Sequence, residues 1–223
     1  MLANVNAGAA LAVDVQDSDP RSDELTCAVS ASLYPSPVAR NTFTFEKYTP
    51  RGSAFLTKTW DDECVRYGQK VKICVNATAG GLNSSNADSS DASLYLRSFA
   101  LSTTRAAKFS RKCEVAASAS GTTYECVFEL LTPDPTKRLV SEGVPIMAGA
   151  PVVIKHCQTN QCLGVPGFSF ENDFGGELEV CAHTFSSSGN AYVMQGLASG
   201  KPTSMSTKAP GDVNTFVVVM GER

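Results

Sequence analysis

Three pattern elements return in the same order along the chain, and a repeat of this kind restricts the fold more than any single motif. The first is a strand running into a small-residue turn: "MLANVNAGAALAV" at 1–13, "VKICVNATAGGL" at 71–82 and "VVIKHCQTNQCLGV" at 152–165. The second sets an acidic residue beside a strand of small residues: "ELTCAVSAS" at 24–32, "KCEVAASAS" at 112–120 and "ELEVCAHTF" at 177–185. The third is an aromatic strand that closes each unit: "RNTFTFEKY" at 40–48, "TTYECVFEL" at 122–130 and "VNTFVVVMG" at 213–221. One such unit cannot bury both faces of its strands, whereas three units closing on one another leave few edges unpaired. The expected fold is therefore all-β, a β-trefoil-like (MIR-like) barrel of three repeats in a single domain over 1–223. Its units cover about 1–48, 67–131 and 150–221. Val71, Ile73, Val75, Val115, Val127, Val152, Ile154, Val180, Phe216 and Val218 are the expected core. Only 98–112, "SFALSTTRAAKFSRK", has any helical character, and its Thr pair weakens it.

The repeat also decides how "PVVIKHCQTNQCLGV" (151–165) is read. It holds His156, one of two histidines, beside Cys157, with Cys162 five residues after that cysteine. A second group follows at Cys181 and His183. A metal site and a cysteine nucleophile with its base both have to be weighed against plain β-structure rich in sulfur. The repeat places Val75 where His156 stands, an apolar position. Strand side chains alternate faces, so His156 and Cys157 should point opposite ways and not share an ion. C-x4-C without a second Cys pair is no zinc-ribbon spacing. The eight cysteines are expected to be reduced, metal-free core filler, and with no signal-like N-terminus a reducing cytoplasmic setting suits them.

Charge and motifs narrow the function. A net charge of -3 with no Lys/Arg run argues against nucleic acid, and no apolar run approaches the ~20 residues of a membrane span. Sequons at Asn76 and Asn83 would matter only in a secreted chain. No Ser/His/Asp set stands out, and Gly80-Gly81 lies in a Ser/Asn-rich loop unlike a P-loop. Glu177 and Glu179 fall on one strand face, a disposition common among solvated strand carboxylates as well as in acid/base pairs. His183 reads as a hydrogen-bonded strand residue. The sequence thus nominates no catalytic, cofactor-binding or metal-ligating residue.

Taken together, these residues resemble the cilia- and flagella-associated protein 161 family. "VIKHCQTNQCLGV" carries the likeness through Ile154, Lys155, His156, Cys157, Thr159, Asn160 and Leu163. In "FGGELEVCAHTF" it rests on Phe174, Gly175, Glu177, Glu179, Val180, Ala182, His183 and Thr184. "RNTFTF" (40–45), "VRYGQ" (65–69), "LYLRS" (94–98) and "LLTPDPTKRLVSEGVPI" (130–146) follow the family's order. The resemblance implies a non-enzymatic structural protein without cofactor, a microtubule inner protein in the lumen of ciliary or flagellar doublet microtubules, contacting tubulin and neighbouring inner proteins. The loops at 76–93 and 186–212 are the expected lineage-specific contacts.

The alternative is a trefoil or MIR-type recognition module binding glycan or protein through its loops. A lectin would be expected to repeat an exposed aromatic in each unit, yet the one tryptophan, Trp60, has no counterpart in the other two. The family has an N-terminal extension and a Tyr-Gly pair opening its first unit, whereas Met1 falls inside the first strand. A clipped strand would leave its neighbour's backbone groups unpaired at roughly 1–3 kcal/mol for each buried group. The expectation is a longer natural chain.

Overall fold

The computed structural model describes residues 1–19, 24–34, 36–50, 64–76, 93–185 and 210–219. Trp60, the sequon at Asn83 and most of the loops at 76–93 and 186–212 lie outside them. The N-terminal part supplies β1 (Leu2–Asn4), β2 (Ala10–Ser18), β3 (Thr26–Ser32) and β4 (Thr44–Lys47). The middle supplies β5 (Lys70–Asn76), β6 (Ser93–Ser98), β7 (Cys113–Ser118) and β8 (Phe128–Leu131). The last part holds β9 (Pro151–His156), β10 (Leu163–Gly164), β11 (Ser169–Asn172), β12 (Gly175–Glu179), β13 (Cys181–Ala182) and β14 (Thr215–Val218). Residues 99–112 form turns and no helix, and the one α-helix among the described residues is the four-residue α1 (Arg138–Ser141).

Nine of these strands close into an antiparallel barrel. The order is β7–β6–β5–β8–β9–β14–β1–β2–β3, and β3 returns to pair with β7. Closure removes the free edges that an open sheet would present. Two pairing patterns run through it. Each aromatic closing strand pairs with the strand that opens a unit: β4 with β5, β8 with β9, and β14 with β1. The small-residue strands form a triangle, in which β3 pairs with β7, β7 with β13, and β12 with β3. Small side chains on these strands suit a place where three strand pairs converge, since Ala28 faces Ala116 and Ala31 faces Leu178 across the registers.

The core follows the alternation expected of half-buried strands. Val71, Ile73 and Val75 of β5 and Val152, Ile154 and His156 of β9 point inward and are buried. Of the expected core positions all but Val218 are buried, and Val218 packs half-buried against the cluster. β9 is buried on its outer face as well. There Val153 meets Leu131 and Cys162, because the chain after the 157–160 turn folds back over the strand. Met1 is tied in at the barrel seam: its ammonium donates to the Val219 carbonyl at 2.7 Å, and its own carbonyl accepts from the Val219 amide at 2.9 Å.

A one-turn 3-10 helix precedes or leads into each closing strand, at Ala39–Asn41, Tyr124–Cys126 and Asp212–Asn214. Its third residue is buried each time: Asn41, Cys126 and Asn214. Asn214 fastens four backbone groups. Its Nδ2 donates to the carbonyls of Cys162, Leu163 and His183, and its Oδ1 accepts from the Phe185 amide at 2.7 Å. Asn41 does the same locally, accepting from the Val38 amide and donating to the Ser36 carbonyl. A buried amide is stable only with such partners, and here it replaces missing strand-to-strand bonds.

Candidate functional site

The residues of 151–165 are held for packing. His156 is fully buried, with Nε2 2.9 Å from the Glu125 carbonyl and Nδ1 2.8 Å from the Thr159 hydroxyl. A carbonyl only accepts, so Nε2 carries the proton and Nδ1 accepts from Thr159. Both nitrogens of a neutral ring are thereby satisfied. Burial holds the ring's pKa below its usual value, outweighing the Glu125 contacts that favour the charged form. Cys157, the next residue, is half-exposed on the other face of the strand, and burial pushes its thiol up. Asn160 takes a left-handed φ of 55° to turn the chain, and Lys155 pairs with Glu129 at 2.7 Å.

The second motif, 174–184, is a seam between the three parts of the chain. Gly175 closes the β11–β12 hairpin at a φ of 98°, a conformation that side chains disfavour. Phe174 lies under the Arg40 guanidinium, 3.8 Å from ring centroid to Cζ. Glu177 is buried and not solvated: Arg40 pairs with it, the Ser30 hydroxyl donates to it, and Asn172 donates at 2.7 Å. Burial alone would raise this carboxyl. The bonds from Arg40, Ser30 and Asn172 and the Arg40 charge outweigh burial and hold it below the ordinary range.

Glu179 is also buried, accepting from the amides of Phe109 and Ser110 at 2.6 and 2.8 Å. The two glutamates share a face, as their spacing implies, but each faces donors from a different part of the chain. One grips the N-terminal part and the other the loop before β7. That is why they escape solvent, where sequence spacing alone allowed exposure.

The remaining signature residues continue the seam. The His183 amide donates to the Cys162 carbonyl, its ring meets Phe185 edge-on at 4.9 Å, and the Thr184 amide donates to the Gln161 side chain. His156, Cys157, Cys181 and His183 are therefore not brought into one cluster. Among the described residues no three His, Cys, Asp or Glu side chains are placed to hold a metal. All eight cysteines are free thiols, with Cys64 exposed, Cys157 half-exposed and the others buried. Sequence reasoning missed the partners: Arg40, Ser30 and Asn172 carry no local signal that aims them at Glu177. The buried Asn clamps did leave one, the repeated "NTF" at 41–43 and 214–216.

The cilia- and flagella-associated protein 161-like domain matches residues 5–194. Cilia- and flagella-associated protein 161 of Danio rerio is 34% identical over 150 residues, 67% of this chain and 43% of that protein. The Bos taurus protein of the same name is 31% identical over 163 residues, 73% of this chain and 45% of its own length. The chain thus spans less than half the length of these curated relatives. In fold it is similar to an SDF2-like protein from Arabidopsis thaliana, with a TM-score of 0.60 at 12% identity, covering 97% of this chain and 88% of that one. It is also similar to a Caenorhabditis elegans protein of unknown function, with a TM-score of 0.55 at 16% identity, over 82% and 84% of the two chains.

Proposed function

Because the chain belongs to the cilia- and flagella-associated protein 161 family, we propose that it is a non-enzymatic structural component of cilia or flagella, a microtubule inner protein seated in the doublet lumen. One observation carries this reading. The motif on which the resemblance to the family rests, from Phe174 to Thr184, is occupied with joining parts of the barrel, and its carboxylates are committed to Arg40, Ser30, Asn172 and the amides of 109–110. A signature of that kind suits a protein whose task is to keep its shape under load. The domain is a single β-trefoil-like, MIR-like unit of three repeats, a reading supported by the triangle of β3, β7 and β12–β13 and by the three closing-strand pairs.

Its partners are tubulin and neighbouring inner proteins, with no part played by nucleic acid or membrane. Contacts spread over several neighbours suit a protein enclosed in a filament, and the loops at 76–93 and 186–212 supply lineage-specific ones. Fractionation of isolated cilia tests the proposal. A tagged chain should stay with the doublets through detergent and high salt, and deleting either loop should loosen it. Release with the soluble matrix or the membrane fraction would contradict the proposal.

A further inference from the structure

Where β3, β7 and β12–β13 meet, the barrel opens into a cavity of about 510 Å³, within the size range of small-ligand and side-chain pockets. Its floor is apolar: Val29 of β3, Val115 of β7 and Val180, between β12 and β13, line it, and all three are buried. One wall is the stacked pair Phe109 and Phe170, with ring centroids 5.8 Å apart. Above these the lining is acidic, with six carboxylates against one ammonium, that of Lys108, among the described residues.

The carboxylates divide by what they already hold. Glu179 accepts from two backbone amides, and Asp14, buried at the β2 bulge, accepts from the amides of Gln16 and Asp17. Asp17 and Glu171 are exposed and make no side-chain hydrogen bond or ion pair within the described residues. The Cys27 thiol lies beside two of these carboxylates. It lines the cavity, and burial together with Asp14 and Asp17 pushes it up to about 11. Lys108 rests 5.5 Å from the Phe109 centroid, so that ring already faces a cation.

We infer that this cavity is a docking pocket for a lysine or arginine side chain on a segment of a protein partner. An apolar floor, an aromatic wall and an acidic rim match such a side chain along its length. Its methylene stem covers the valines, while its charged head meets Asp17, Glu171 and the Phe109–Phe170 rings. A neutral apolar ligand would leave Asp17 and Glu171 without a counter-charge, and an anion would be repelled by them. The inference rests on the cavity and not on residence in a doublet, so its test needs only the purified chain.

The test is nuclear magnetic resonance on the full 223-residue chain titrated with acetyl-Gly-Gly-Arg-Gly-Gly-amide, its lysine analogue and its neutral citrulline analogue. The arginine and lysine peptides should move the amide signals of 107–109, 114–116 and 170–172, and raising the salt should weaken them. Citrulline should bind about tenfold more weakly than arginine. The double variant Asp17→Asn/Glu171→Gln should keep the wild-type melting temperature and lose about tenfold in affinity for both cationic peptides. Four results would each overturn the inference: equal binding of citrulline and arginine, unchanged affinity in the double variant, no shifts with millimolar peptide, or calcium moving those signals when the peptides do not.

Discussion

Arg40 and Glu177 stand 137 positions apart in sequence and meet as a buried ion pair. Removing the cation in Arg40→Ala would strand a buried carboxylate, which should lower unfolding stability by about 3 kcal/mol, measured by urea titration. The pair also sets a pH dependence. Glu177 titrates below its ordinary value of 4.5, so as pH falls the unfolded chain takes up this proton first. Its contribution is complete above pH 4.5 and is lost as pH drops below it toward the folded value. His156 adds an earlier loss. Its folded pKa lies below 6.5, so acidification from pH 6.5 downward favours the unfolded, charged ring. His156→Gln should abolish that upper step and leave the lower one, and an unchanged profile would show that the ring is not held neutral by burial. Asn214 offers a second test. A Cβ placed at Gly164 would lie 2.7 Å from the Asn214 Nδ2. Asn214→Ala should cost about 3 kcal/mol through its orphaned carbonyls, Gly164→Ala should be destabilising too, and the double variant should cost less than the sum of the two. Additive costs would mean that the glycine serves some purpose other than admitting the clamp.

Strands that open the units were legible because their apolar and β-branched residues alternate, and "KVKICV" and "PVVIKH" became β5 and β9 with the inward residues expected. The small-residue strands were legible as a repeat but not as a triangle, since nothing in "KCEVAASAS" says which two neighbours it will touch. Their pairing partners come from other units, and register across such distances is fixed by packing and not by local pattern. The same gap explains the glutamates. Their shared face could be read from spacing two apart, while the donors that bury them belong to 30, 40, 109 and 110. Three of the eight cysteines, Cys27, Cys113 and Cys181, sit on these strands, and this makes their reactivity a probe of the triangle. Cys64 is exposed and Cys157 half-exposed, whereas Cys27, Cys74, Cys113, Cys126, Cys162 and Cys181 are buried. Burial also pushes Cys27 and Cys181, with nearby carboxylates adding to it, up to about 11. Thiol labelling of the native chain near neutral pH should modify Cys64 quickly, Cys157 slowly and the others only on unfolding, as read by peptide mass mapping. Rapid labelling of Cys27 or Cys181 would mean that the triangle opens readily.

At the scale of the molecule, a barrel closed through β1 and β14 and locked across its base by β3, β7 and β12–β13 has few ways to yield piecemeal. The motif on which the resemblance to the family rests, Phe174 to Thr184, lies in that lock. Rigid closure of this kind suits a component that spends its life inside a filament, and that placement is the central claim of the proposed function. Doublet microtubules purified from cilia of a null strain and of its rescued parent test it most directly, by electron cryomicroscopy of both. A density of this barrel's size is expected inside the doublet lumen of the rescued strain, against the tubulin wall and neighbouring inner proteins, and missing from the null. Identical lumens in the two strains, with the tagged chain found outside the doublet, would contradict it.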